Sequence, residues 1–178
     1  MAHRLLIIGN PRQSRRLAGI LREEGYTEVR VVPDCESGLE AARAHKPEAV
    51  LVDLEGSCDD PLALVRKLVA ERPLPIIMHS SYRQIDRLLE ADESGVSAHL
   101  FRPITRENLL GAIELGMSRF RQCQVLHAEV TDCKEALRVR KVVERAKGIL
   151  MKRNSLNEEQ AFLRIQKLSR DNNIPMEK

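Results

Sequence analysis

The sequence predicts an α/β fold: a five-stranded, parallel, doubly wound sheet, followed by a coiled-coil linker helix and a small all-α helical bundle. Three observations predict it. Five short apolar, β-rich runs alternate with helical patterns over residues 1–116, no proline falls between Thr105 and Pro175, and residues 139–178 hold two short amphipathic segments with basic outer faces. Strands alternating with helices mark βαβ units, which cover a parallel sheet on both faces.

The strands are expected at Leu5–Ile8, Val29–Val32, Ala49–Val52, Pro75–Met78 and Ala98–Phe101. Asp34 stands before CESGLEAARAH, Asp60 before PLALVRKLVAER and Thr105 before RENLLGAIELGM. Each offers a side-chain oxygen to the unpaired N–H groups of a first helical turn. The composition, 43% hydrophobic and 31% charged, is that of a folded globular chain. The apolar run at Leu5 breaks off at Gly9-Asn10-Pro11, too short for a signal peptide. No stretch approaches a membrane span, so a cytoplasmic protein with no membrane partner is expected. Cys35, Cys58, Cys123 and Cys133 are scattered without CxxC spacing, and the histidines are isolated. That favours free thiols and no metal site. Charge is uneven: residues 1–116 carry a net −3 and residues 117–178 a net +6. A basic C-terminal module with a polyanionic partner fits this split.

Chemistry in such sheets sits at the carboxyl ends of the strands. Those ends read Gly9-Asn10, Asp53-Leu54-Glu55, Ser80-Ser81 and Arg102-Pro103. Five βα units, an Asp ending the third strand, a hydroxyl ending the fourth and a basic residue before proline resemble a response-regulator receiver domain over residues 4–116. The resemblance implies Asp53 as the phosphoacceptor candidate, with Ser80 and Arg102 as switch candidates. Two departures stand out. Gly9 and Asn10 replace the family's acidic pair, which helps to hold Mg²⁺, and Arg102 replaces its lysine. Without those hard oxygen ligands no Mg²⁺ cofactor is expected. Asp53 then has two readings. It is a phosphoacceptor with altered metal binding, helped by Glu55 or the Asp59-Asp60 pair, or an inherited carboxylate in a pseudo-receiver, salt-bridged to Arg102. The second is the expectation.

Cys123, Leu126, Val130, Cys133 and Leu137 recur at spacings of three and four, a heptad seam about two heptads long. It suits a parallel dimer coil over residues 117–138, with packing inside one chain as the alternative. In a symmetric parallel coil Cys133 would approach its mate.

Farther on, Val139, Val142, Val143, Ala146, Ile149 and Leu150 gather on one helical face. Arg140 and Lys147 flank it on one side; Lys141, Arg145 and Lys152 flank it on the other. Gly148 points away from that face. A glycine costs a helix interior roughly 1 kcal/mol relative to alanine, and an outward one gains nothing by burial. The remaining reasons are drift, fraying or the close approach of a ligand backbone. Asn154 is expected as a left-handed helix end and Ser155-Leu156-Asn157-Glu158 as a capping box. Ala161, Phe162, Ile165 and Leu168 should face inward on the next helix, with Arg164 and Lys167 outward.

The stretch ERAKGILMKRNSLNEEQAFLRIQKLSRDNNI resembles an ANTAR domain, the RNA-binding output module of transcription antitermination regulators, over about residues 126–178. The AKGILM run, its spacing to Glu159-Gln160-Ala161-Phe162 and the closing Leu168-Ser169 carry the resemblance. It implies a three-helix bundle on a coiled coil, the third helix being truncated in this sequence. It also implies a dimer that binds paired RNA hairpins in nascent leader transcripts, so that the competing terminator hairpin cannot form. The RNA-contact candidates are Arg140, Lys141, Arg145, Lys147, Gly148, Lys152, Arg153, Arg164 and Lys167, in a module at residues 139–178.

The expected protein is a non-enzymatic, homodimeric RNA-binding antiterminator beneath an atypical receiver, with a sensor kinase or a sequestering regulatory protein as its input. A DNA-binding response regulator and a receiver-type scaffold remain the alternatives. Against DNA, the second short helix opens LNEEQ, and its two glutamates would be repelled by duplex phosphates.

Overall fold

The computed structural model describes residues 4–56, 60–82 and 95–176. Strands β1 (Arg4–Ile8), β2 (Glu28–Val32), β3 (Ala49–Asp53), β4 (Ile76–Ser80) and β5 (Ala98–Phe101) form one parallel sheet in the order β2-β1-β3-β4-β5. The inner strands are nearly continuous Leu, Ile and Val because helices cover both faces. Alternation along each strand sorts these side chains. Leu6, Ile8, Val50, Val52, Ile76 and Met78 pack against Ala41 of α2 (Cys35–His45) and against Leu64, Val65 and Leu68 of α3 (Pro61–Glu71). On the opposite face, Leu5, Ile7, Leu51 and Ile77 meet Leu17 and Leu21 of α1 (Pro11–Glu23) and Leu109 and Ile113 of α4 (Arg106–Asn154).

The expected caps are in place. Asp34 Oδ1 accepts from the Ser37 N–H at 2.9 Å, and Asp60 Oδ1 accepts from the Ala63 N–H at 2.9 Å. At the start of α4, Thr105 and Asn108 cap each other reciprocally. Cys35, at the head of α2, is disulfide-bonded, which corrects the expectation of free thiols throughout. Sequence spacing says nothing about which loops meet at the edge of a βα sheet. Cys123 and Cys133 are exposed and not disulfide-bonded. Cys58 and Asp59 lie outside the described residues.

The chain divides into two compact units, one ending at Cys123 and one starting at Gln124, with α4 contributing to both. The second unit also contains α5 (Glu158–Asn172). The link between α4 and α5 is built differently from the sequence expectation. Ser155, not Asn154, takes the left-handed conformation, at φ 51°. The capping box is Asn157 with Gln160: Asn157 Oδ1 accepts from the Gln160 N–H at 2.8 Å, and Gln160 Oε1 accepts from the Asn157 N–H at 3.1 Å. Ser155 is occupied in turning the chain, so the cap falls two residues later. Asn173, also left-handed at φ 51°, stops α5.

Of the inward set expected on α5, Ala161 and Ile165 are buried, whereas Phe162 is 41% and Leu168 51% exposed. Two helices can shield only one stripe of each other, so the rest of the amphipathic face stays open. No helix among the described residues is long and apolar enough to cross a membrane.

Candidate functional site

At the carboxyl end of the sheet, Asp53 closes β3 and is almost wholly buried. Arg102, one residue past β5, donates from Nη2 to Asp53 Oδ1 at 2.6 Å and from Nη1 to Glu55 Oε2. The Glu55 N–H also donates to Asp53 Oδ1, at 3.1 Å. Glu55 Oε1 in turn accepts from the Ser81 N–H at 3.2 Å and from its hydroxyl. These bonds, the Ser81 hydroxyl foremost and then Arg102, hold the Glu55 carboxyl below its ordinary pKa. The ion pair expected between Asp53 and Arg102 is therefore present, and it is extended into a network by two residues after β3 and β4. Ser80, the switch candidate, is buried at the end of β4, and its hydroxyl donates to the Ser81 carbonyl at 3.1 Å. Ser81 supplies the hydroxyl that joins the cluster.

His79 was not singled out by sequence. It lies in β4 with no exposed surface, its Nδ1 3.6 Å from Asp53 Oδ1 and neither ring nitrogen hydrogen-bonded. Burial lowers its pKa most and the Arg102 charge lowers it further, against the pull of Asp53 and Glu55. The ring is neutral at neutral pH.

These residues do not fit a Mg²⁺ ion. Asn10 Oδ1 accepts from the Arg12 N–H at 3.0 Å as the cap of α1, and Gly9 has no side chain at all. Nor could Gly9 readily acquire one. Its φ is +148°, and a Cβ there would stand 2.4 Å from Asp53 Cβ. The Arg102 guanidinium meanwhile puts a positive charge on Asp53 Oδ1, where a cation would be repelled. Among the described residues no group of three or more His, Cys, Asp or Glu could hold a metal.

In the second unit the structure divides the nine RNA-contact candidates. Around Gly148 of α4 there is open space, with nothing within 4 Å of where a Cβ would stand. At 100° per residue, Lys141, Lys152 and Arg145 lie within about 60° of it around the helix, and all three are exposed. Arg153 is exposed too, yet falls about 140° away. Arg140 lines a groove of about 540 Å³ with Val139, Val143, Phe162 and three carboxylates, Asp132, Glu135 and Glu144. Arg164 and Lys167 border a second groove on α5, with Leu163 and Leu168.

Lys147 needs correction as a counter-charge for a ligand. Its side chain is one-tenth exposed, and Nζ lies 2.8 Å from Glu144 Oε1 and 2.7 Å from Glu158 Oε1. The hydrogen bond to Glu144, then that to Glu158, keeps its pKa above that of a free lysine. Lys147 ties α4 to the start of α5. Helical wheel geometry put it beside the apolar face, but only the path of α5 shows which neighbour it meets. Phe162, expected in the core, is likewise a groove wall.

Comparison with known proteins agrees with both halves. Residues 5–114 match the response regulator receiver domain family, and residues 131–178 match the ANTAR domain family. The transcriptional regulatory protein PdtaR of Mycobacterium tuberculosis is 36% identical over 162 residues, spanning 91% of this chain and 79% of that protein. The chain belongs to the response regulators that join a receiver domain to an ANTAR domain. In this ANTAR-type regulator the receiver fold also superposes on solved structures. NtrX from Brucella abortus shares 25% identity at a TM-score of 0.64, over 83% of this chain and 35% of NtrX. Its isolated receiver domain shares 28% identity at 0.59, over 64% of this chain and 98% of that domain.

Sequence reading of this response regulator found Asp53, Arg102 and Glu55 because each follows a strand whose end was easy to place. It missed His79 and the role of Ser81. His79 sits inside an apolar strand where only the neighbouring strand reveals what it faces, and the adjacent serines Ser80 and Ser81 could be told apart only by side-chain direction.

Proposed function

We propose that this ANTAR regulator is a non-enzymatic, homodimeric RNA-binding antiterminator that captures hairpins in leader transcripts and keeps the terminator from forming. The observation that carries the reading is the opening over Gly148. A helix gives up stability for a glycine there, the space above it is empty, and three exposed cations stand near it, beside the Glu144 carboxylate that Lys147 holds. A phosphodiester backbone fits such a notch: the missing side chain lets it approach, and Lys141, Arg145 and Lys152 supply the charge. The seam residues Cys123, Leu126, Val130, Cys133 and Leu137 are all exposed, three of them large and apolar, which favours a second chain along α4. On the input side, the Arg102 clamp on Asp53 and the steric block at Gly9 favour control by a binding partner, such as a sensor protein or a sequestering regulator, over Mg²⁺-dependent phosphotransfer.

The test is a gel-shift titration with a tandem-hairpin RNA and duplex DNA as competitor. Gly148→Leu should weaken RNA binding at least tenfold with helix content unchanged, since the added side chain stands where the backbone must come. Arg145→Gln should lower the salt slope by about one, as loss of one phosphate contact does. Lys147→Met should leave that slope alone. Equal competition by DNA together with an unaffected Gly148→Leu would sink the proposal.

A further inference from the structure

We infer that the RNA surface is not confined to the neighbourhood of Gly148 but continues along α4 as a straight track of cations from Lys134 to Lys152, and that this track holds the stem of the hairpin. The inference rests on the RNA reading above and extends it to two residues, Lys134 and Arg138, far from the notch.

Lys134, Arg138, Lys141, Arg145, Gly148 and Lys152 follow one another at spacings of four, three, four, three and four. That is the repeat of a single helical face. At 1.5 Å per residue the track is about 27 Å long. All five charged members are exposed, and the Glu144 carboxylate borders the track about 40° to the other side of Gly148. Among the described residues Lys134, Lys141, Arg145 and Lys152 form no ion pair; Arg138 pairs with Glu135 through two well-exposed side chains. Exposed pairs of that kind are weak and readily exchanged for a stronger anion.

A bland origin for these charges accounts for only part of the track. A cation in the last turn of a helix is favoured by the helix dipole, which explains Lys152. That field fades within the last turn, so it gives no reason for Lys134, Arg138, Lys141 or Arg145. A face that is merely solvated normally intersperses Glu with Lys four residues apart, because such pairs help the helix and like charges hurt it. Here the four-residue pairs Lys134–Arg138 and Lys141–Arg145 are both like-charged. Glu135, paired with Arg138, offsets part of that repulsion; a polyanion lying on the line offsets the rest.

The shape of the track assigns the ligand. Cations in a row about 27 Å long suit a rod of regularly spaced phosphates better than a compact loop. One face of a double-stranded stem is such a rod, read by charge and shape rather than by base. The stem would lie beside α4, and the strand nearest the loop would pass over Gly148.

The experiment compares two RNAs with the same hairpin loop, one on a short stem and one on a long stem, across a salt titration. The double variant Lys134→Gln/Arg138→Gln is set beside Lys141→Gln/Arg145→Gln and a charge-matched control, Arg121→Gln/Arg170→Gln, whose exposed side chains lie off the track. Circular dichroism and sedimentation check that helix content and oligomeric state are kept. For wild type, lengthening the stem should raise affinity. Lys134→Gln/Arg138→Gln should erase that gain, weaken long-stem binding about tenfold, lower the salt slope by about two, and leave short-stem binding alone. The control should change neither. If Lys134→Gln/Arg138→Gln binds the long stem like wild type while Lys141→Gln/Arg145→Gln loses both RNAs, the track is wrong and the notch reading survives. If neither pair affects either RNA, the antiterminator reading falls with it.

Discussion

The two units of this protein treat polarity in opposite ways. Up to Cys123, the charges that matter are folded inward: Asp53 is almost wholly buried, Arg102 is turned onto it, and Glu55 is held by Ser81. From Gln124 on, the apolar groups that matter are turned outward: Leu126, Val130, Leu137, Phe162 and Leu168 are each at least 41% exposed. The first unit answers its own electrostatic needs among Asp53, Arg102, Glu55 and Ser81. The second leaves apolar side chains and a row of cations on its surface. On the function proposed above, that surface is where the regulator binds.

The sharpest way to break this contrast is to try to reopen the first unit. Gly9→Asp restores an acidic residue where receivers carry one. The expected result is damage rather than gain. The new Cβ would meet Asp53 Cβ at 2.4 Å, at a backbone φ of +148° that suits glycine alone. Combining backbone strain with overpacking, the cost should be about 3–5 kcal/mol. Urea denaturation would measure it. A variant as stable as wild type, or one that gains Mg²⁺-dependent phosphate on Asp53, would show that the site is only dormant.

A middle-sized effect tests whether the cluster is truly interior. His79 is buried and stays neutral in the fold, because burial and then Arg102 depress its pKa below the ordinary histidine value. The unfolded chain takes up a proton as pH falls through about 6.5, while the native state does not. Stability is therefore full above that range and lost below it, with a limiting slope of about 1.4 kcal/mol per pH unit for one proton. Denaturation at pH 5.5, 6.5 and 7.5 should show this slope, and His79→Leu should flatten it. The Glu55 contribution runs in the same direction. It falls away only below the ordinary carboxylate range, because its folded pKa is depressed, so it does not confuse the window. Parallel curves for the two proteins would place solvent at His79 and contradict the buried site.

The sequence made the first unit legible because its signals are local and redundant. Each strand is a short apolar run, the starts of α2, α3 and α4 have their own Asp or Thr, and the strand ends that build a site can be counted off. Asp53 and Arg102 could be paired on that basis alone. What stayed hidden depends on direction within the fold. Ser80 and Ser81 have the same chemistry, but only Ser81 reaches Glu55. In the second unit Lys147 and Gly148 are neighbours in sequence, yet one is tied down by Glu144 and Glu158 and the other faces open space. Helical periodicity located the glycine correctly because open space needs no partner. It placed the lysine beside the apolar face but not its partner, because α5 decides that contact. The link between α4 and α5 shows the same limit: Ser155 reads as the cap residue, and only the turn it makes hands that role to Asn157.

The smallest expected effect sharpens the other half of the contrast. If the apolar surface of α5 is open in the isolated chain, truncating it should hardly matter. Phe162→Ser, at a side chain 41% exposed on a groove wall, should change stability by no more than about 0.5 kcal/mol, as expected of a surface position. Ile165→Ala, only one helical turn away but buried, should cost about 2–3 kcal/mol, in the range of core truncations. Thermal melts of a Gln124–Lys178 fragment would not serve, because α4 belongs to both units; the full chain should be used, with melting followed by hydrogen exchange along α5. Equal costs at the two positions would mean that Phe162 is covered in solution. Dilution then separates the possible covers: a loss that grows as the protein is diluted points to a second copy, and one that does not points to the chain's own residues.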